Sequence, residues 1–247
     1  MKRTALLVTL AAAVATLYPA AAGAARFGGV VVAKQPKRHA LVVASRAGTV
    51  RTVRTSALRF RVGSRVVVSA RLLRDGTFRA SRIAVRGHAR RARIRAVVVR
   101  RLNGRKLVSA GHSVFAIRTG RLDTMSARDD GGDQPGDQVD ETVTISPGGD
   151  LDEENEQEVG HENVLELEGS FVSLSGNILT IKTEEGSTIP VVVPSGFALP
   201  TFAPGQHLEL KVSVSGTTFT LVKVKDEDDQ GEDNDDQGDD DGGGGDD

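Results

Sequence analysis

With 38% hydrophobic and only 4% aromatic residues in 247, any core must be built from Val, Leu, Ile and Ala, which suits several small β-modules better than one large core. There is no cysteine, so disulfides, thiolate chemistry, thiolate-held zinc and a lipidated N-terminal cysteine are excluded. The net charge of −1 hides a division: from Arg26 to Arg121 there are 25 Lys and Arg with Asp75 as the sole acid, and the acidic residues gather in the second half, an asymmetry that points to an anionic partner or an acidic tail.

In chain order, Lys2 and Arg3 precede an apolar run from Ala5 to Leu17, and Ala22-Gly23-Ala24 supplies a small-x-small cleavage pattern. Residues 1–25 therefore predict a signal peptide with a helical apolar stretch, and a secreted or extracytoplasmic protein with no transmembrane anchor.

From Phe27 the chain repeats a unit of roughly sixty residues. The first unit, residues 26–87, opens with Gly28-Gly29-Val30-Val31-Val32 and continues through His39 to Ala44 into the turn Arg46-Ala47-Gly48. Thr49 to Arg54 alternates apolar and polar residues, as a half-buried strand does. Then comes the signature of the unit, Val62-Gly63-Ser64-Arg65-Val66-Val67-Val68, a Gly-centred turn running into a β-branched strand to Leu72. Asp75-Gly76 reads as a tight hairpin turn and Thr77 to Ile83 as the closing strand.

The second unit, residues 91–160, has strands at Ile94 to Val99, Lys106 to Ser109 and Ser113 to Ile117, then a Gly- and Asp-rich insertion, 119–134. It resumes at Pro135-Gly136-Asp137-Gln138-Val139, passes through Thr142 to Ile145, and ends in an acidic segment between Leu151 and Val159. The third unit, residues 164–225, follows the first in order: Gly169 to Val172, Ile178 to Ile181, Thr188 to Val193, Pro204-Gly205-Gln206-His207-Leu208, and Phe219 to Val224. Gly87-His88 and Gly160-His161 mark the two junctions. Five short strands per unit predict an all-β protein of three tandem small antiparallel β-barrels, because closure removes exposed edges.

These residues resemble a domain family of unknown function in secreted bacterial proteins, built as short OB-like β-barrel repeats. Gly29-Val30-Val31, Val62-Gly63-Ser64-Arg65-Val66-Val67-Val68 and Ala80-Ser81-Arg82-Ile83 carry the likeness in the first unit, and Gly136-Asp137-Gln138-Val139 in the second. The third departs further, with Gly205-Gln206-His207-Leu208. The resemblance implies OB-like barrels and transfers no catalytic residue.

Residues 226–247 are Asp, Glu, Gly, Gln and Asn without one apolar side chain, a composition that predicts a disordered acidic tail. Asp233-Asn234-Asp235-Asp236-Gln237-Gly238 opens like a calcium loop but lacks the closing Glu, so weak calcium binding is the most the tail offers. No cofactor or metal site is expected elsewhere, since His39, His88, His112, His161 and His207 are scattered singly. Gly-x-Ser-x-Gly, P-loop and dinucleotide patterns are missing, and the carboxylates lie in polar runs, so the reading is of a non-enzyme.

The sharpest functional signal is the basic first half. Arg51, Arg54, Arg59, Arg61, Arg79 and Arg82 alternate with apolar residues, which on barrel strands sends them outward as a positive coat. Such a coat attracts polyanions. Single-strand nucleic acid is disfavoured, because that mode stacks bases on exposed aromatics and the only Tyr is Tyr18, in the leader. The expected partner is an anionic cell-envelope polymer or surface, or an acidic protein. The alternative is self-association, with basic and acidic regions of the chain pairing.

Overall fold

The computed structural model describes residues 24–120 and 133–225. All but the last two residues of the leader, most of the insertion and the whole acidic tail lie outside the described residues. The described chain is all β, with no helix and hence none long and apolar enough to cross a membrane. Its strands close into three five-stranded barrels.

The first barrel contains β1 (Ala25–Gln35), β2 (Ala40–Ala44), β3 (Val50–Arg54), β4 (Ser64–Leu72) and β5 (Phe78–His88). The second contains β6 (Arg91–Leu102), β7 (Arg105–Ser109), β8 (Val114–Arg118), β9 (Asp137–Ile145) and β10 (Leu151–His161). The third contains β11 (Val164–Ser175), β12 (Ile178–Lys182), β13 (Thr188–Val192), β14 (His207–Ser215) and β15 (Thr218–Lys225). Each has the same order of neighbours, first-second-third-fifth-fourth, and the fourth pairs back to the first. The acidic segment after Leu151 is thus a full strand, β10, paired along its length with β9.

The expectation of purely antiparallel barrels needs one correction. The closing pairs β3–β5, β8–β10 and β13–β15 are parallel. A closed ring with an odd number of strands cannot alternate direction all the way round, so one neighbouring pair must run the same way.

The first strand of each barrel serves two partners, its N-terminal half pairing with the fourth strand and its C-terminal half with the second. It bends between them at a bulge, which falls at Val32 in β1, Val99 in β6 and Val172 in β11. A bulge is the usual device for bending a strand enough to close a small barrel.

The signature glycines take positive φ: Gly63 88°, Gly136 100° and Gly205 80°. At the first two, a Cβ would collide with a ring from the end of the fifth strand, His88 or His161. The backbones are tied there too, Ala89 N–H to the Gly63 carbonyl and Glu162 N–H to the Gly136 carbonyl, both at 2.7 Å. The Gly-His pairs therefore fix the exit of each barrel into the next. Gly205, at the end of the array, has nothing within 4 Å of such a Cβ. Gly205→Ala is expected to cost about 1–2 kcal/mol for the backbone alone. Gly63→Ala and Gly136→Ala should reach about 3 kcal/mol, because a ring must move as well. Urea unfolding of the three variants checks the ranking, and equal losses would contradict it.

The barrels are packed on one another by alternate faces of single strands. In β2, Leu41 and Val43 lie in the core of barrel 1, whereas Val42 and Ala44 share a cluster with the interior of barrel 2. In β7, Val108 lies in the barrel 2 core, whereas Leu107 belongs to the cluster centred on barrel 3. Period-two side-chain alternation thus serves two cores from one strand.

Candidate polyanion surface and the charged seam between barrels

The six arginines singled out in barrel 1 divide into two groups. Arg59 and Arg61, in the loop before β4, and Arg79 and Arg82, on β5, are exposed. Arg59 and Arg61 line a shallow depression with Phe60, Ser64, Ile83 and Val85. Arg51 and Arg54, on β3, are half-buried. The Arg51 guanidinium lies 4.9 Å from the centre of the Phe27 ring. Arg54 donates to Asp75 Oδ2 at 2.5 Å, so the sole acid of barrel 1 already has a cation. Alternation puts Arg54 outside the barrel, where Asp75 holds it. The outward direction expected for Arg51 is overturned: it pairs with Val43, shares the inward face of β3 with Val53, and closes over the Phe27 ring at the end of the core. Burial opposes ionisation of Asp75, yet hydrogen bonds from Thr77 and the charge of Arg54 hold its carboxyl below its usual value.

The eight Phe of the chain are all buried or half-buried. Phe60, Phe115, Phe202 and Phe219 are core residues. Barrel 1 therefore offers exposed guanidinium groups without an exposed aromatic platform, a surface suited to charge rather than to base stacking.

A second charged constellation was not legible in the sequence. It lies where the three barrels meet. His112, at the turn between β7 and β8, has φ of 62°. Its Nδ1 stands 2.6 Å from Glu166 Oε2 and 3.4 Å from Glu209 Oε1, both on barrel 3. Lys225 Nζ, at the end of β15, reaches the same two carboxylates at 2.9 and 2.5 Å. Arg38 of barrel 1 pairs with Glu168 of barrel 3, and Gln35 Nε2 donates to the other Glu168 oxygen at 3.2 Å. Hydroxyl groups stitch the same seams: Thr52 Oγ1 donates to the Gly111 carbonyl and Ser109 Oγ to the Glu166 carbonyl, each at 2.6 Å.

Hydrogen bonds to Glu166 and Glu209 push the His112 pKa up to about 10, against the effect of burial, so the ring is a cation at neutral pH. The His112 bond pulls Glu166 down to about 2. Burial pushes Glu168 up to about 7 in spite of Arg38. His112, Glu166 and Glu209 are close enough together to hold a metal ion. A metal there would have to displace the His112 proton and compete with Lys225, which already reaches both carboxylates. The trio is best described as an ion-paired joint.

The third constellation lies inside barrel 2. Lys106 and Glu141 are both 0% exposed, their charged groups 2.6 Å apart. Glu156 Oε2 at 2.6 Å, Asp133 Oδ2 at 3.1 Å and Glu153 Oε2 at 3.5 Å complete a ring of carboxylates around the same ammonium. By strand pairing, Lys106 stands where barrels 1 and 3 have Leu41 and Leu179, and Glu141 where they have Val68 and Leu210. Burial acts to strip the Lys106 proton, but Glu141 and Glu156 hold its pKa above the ordinary value. Burial pushes Glu141 up to about 7 and Glu156 up to about 8. The alternating pattern of β9 made Glu141 detectable as an inward acid, and Lys106 was its counterpart on β7.

On the opposite side of β9, Asp140 takes a two-pronged bond from Arg93 at 2.6 and 2.7 Å and a third from Arg95 at 2.9 Å. Those bonds, led by the one from Arg93, hold its carboxyl below the usual range. Acidic residues of the later units thus neutralise part of the basic half within one chain.

No family model and no curated protein matches this sequence. Among solved structures, the chain is similar to a multidomain protein with nucleic-acid-binding domains from Streptococcus pneumoniae, at 13% identity and a TM-score of 0.23, covering 79% of this chain and 72% of that one. It is also similar to the CSD456 segment of Drosophila Unr, at 14% identity and a TM-score of 0.22, covering 83% and 98% respectively. Likenesses this distant carry no functional argument, and the fold description rests on the strand order itself.

Proposed function

We propose that the chain is an exported, non-enzymatic binding module of the OB-like repeat family it resembles, and that barrel 1 engages anionic cell-envelope polymers through Arg59, Arg61, Arg79 and Arg82. The observation that carries this reading is their exposure on a barrel whose one acid, Asp75, is already paired with Arg54. Arg51 and Arg54 are not part of that surface, being engaged by Phe27 and by Asp75.

The full chain is expected to be retained on immobilised heparin, used as a model sulfated polymer, at low salt and released as salt rises. Arg59→Glu with Arg61→Glu, and Arg79→Glu with Arg82→Glu, should each move release to lower salt. Retention that ignores salt, or that both pairs leave unchanged, would remove the proposal. Single-stranded DNA should bind with the same salt dependence and no preference among base compositions. A marked base preference would favour a nucleic-acid reader instead.

The rival reading, pairing of basic and acidic regions between chains, draws support from Arg38–Glu168 and His112–Glu166, which join barrels in this way within the chain. Oligomers that disappear on removal of residues 226–247 would favour that rival.

A further inference from the structure

One face is used twice in this molecule, and among the described residues its third copy is left largely open, with the Thr188 carbonyl accepting from Arg100 at 3.3 Å. On barrel 1 it consists of the bulge residue Val32 with the outward side chains of β2 and β3, Val42, Ala44 and Val50, all in one cluster with the interior of barrel 2. On barrel 2 the equivalent residues Val99, Leu107 and Val114 are buried with the interior of barrel 3. Strand pairing places Val172, Thr180, Lys182 and Thr188 at the same positions on barrel 3. There the bulge residue changes character: Val32 is 2% exposed and Val99 0%, but Val172 is 46% exposed.

A terminal repeat normally presents a polar outer face to water. Barrel 3 does so only in part. Next to Val172, where the pairing gives barrels 1 and 2 Lys34 and Arg101, it carries Leu174, which is 45% exposed. The surface receiving this face is also known. It is the first strand of the following barrel, with Gly48 of the β2–β3 turn set against Arg93 and Arg95 on β6 and the Gly48 carbonyl accepting from Arg95 N–H at 2.9 Å. On β1 of barrel 1 the equivalent positions are Arg26 and Gly28, both exposed. The turn of barrel 3 that corresponds to the one carrying Gly48 is Glu184-Glu185-Gly186, so docking would bring an acidic turn to the basic Arg26.

We propose that the open face of barrel 3 docks onto β1 of barrel 1 in a second copy of this chain, repeating the contact already made twice within it. The contact is head-to-tail, using different surfaces on the two partners, and it propagates into a ring or a filament. It uses the exposed Val172 and Leu174 together with the acidic turn facing Arg26, and leaves Arg59, Arg61, Arg79 and Arg82 uncovered. It is therefore independent of the polyanion reading and of the acidic tail.

The absence of cysteine makes the test clean. Ser109 Oγ of barrel 2 bonds to the Glu166 carbonyl of barrel 3, and the equivalent residues across the proposed contact are Lys182 and Arg26 of the next copy. The doubly substituted chain, Lys182→Cys with Arg26→Cys, treated with a short bismaleimide, should yield a ladder of multimers on a denaturing gel. The ladder should be lost when Val172→Asp and Leu174→Asp are added. In sedimentation velocity, the full chain and a chain beginning at Ala25 should both associate with rising concentration, and Val172→Asp with Leu174→Asp should abolish it.

Monomers at every concentration would overturn the proposal and make the face a cap. So would association that survives the two aspartates and gives no ladder. Association seen only when the leader is removed would identify the leader as the occupant and overturn it equally. Unchanged circular dichroism of the aspartate variant separates a lost contact from a lost fold.

Discussion

Lys106→Leu is expected to lower the free energy of unfolding by about 3–5 kcal/mol, the usual cost of leaving a buried charge without its partner. Four carboxyl groups lie within 4 Å of that one ammonium, and Glu141 is as inaccessible as the lysine itself. The double replacement Lys106→Leu with Glu141→Leu should regain most of the loss, because it writes into barrel 2 the apolar pair that Leu179 and Leu210 already form in barrel 3. Urea midpoints of the wild type, both single variants and the double variant form the cycle that measures the coupling. A lysine variant as stable as the wild type, or two single losses that merely add, would contradict this account.

The second large effect is a pH dependence with opposite contributions on the two sides of neutrality. The folded pKa values of Glu141 and Glu156, about 7 and 8, lie above the ordinary 4.5. The folded chain therefore holds these protons more tightly than the unfolded chain, and the resulting stability is full below 4.5 and lost as pH rises through 7 and 8. His112 adds stability that is full below 6.5 and lost as pH rises through about 10. Glu166 acts the other way: its contribution is full above 4.5 and lost as pH falls through about 2.

Stability should consequently peak on the mildly acidic side and decline steadily into alkali. His112→Asn keeps a residue that tolerates the left-handed backbone and removes only the charge. It should cost about 1.5–3 kcal/mol at neutral pH, the range for hydrogen bonds to charged groups, and the difference from wild type should shrink toward nothing above pH 10. A deficit that stays constant across this range would show that the ring acts by packing alone.

The strand plan could be read from residues because it depends on local chemistry. Glycines at 63, 136 and 205 take backbone angles other residues avoid, and alternating stretches such as β9 can form only half-buried strands. The placing of barrel on barrel was harder to read, yet one trace existed. Ala40 to Ala44 is apolar without interruption and buried throughout, the pattern of a strand with no face toward water. Lys106 shows the limit of patterning. Next to Arg105 it looked like one more surface cation, and only Glu141 on a strand 35 positions later gives it a reason to be inside. Arg38 and His112 were likewise unremarkable alone, because their partners are on another barrel. Arg54 had the predicted direction but not the predicted freedom, and Arg51, an odd number of residues away on the same strand, faces inward beside Phe27 instead.

Each barrel is completed by five strands consecutive in the chain, and only Ala89 and Arg90, then Glu162 and Asn163, separate one barrel from the next. No strand is exchanged between barrels, so every closure requires only segments made close together in time. As the polypeptide emerges N-terminus first, barrel 1 can shut while barrel 2 is still being delivered, and its finished flank then offers barrel 2 a surface to assemble against. Folding becomes a directional relay, in which the exposed sheet edges that invite misassembly exist for only one unit at a time.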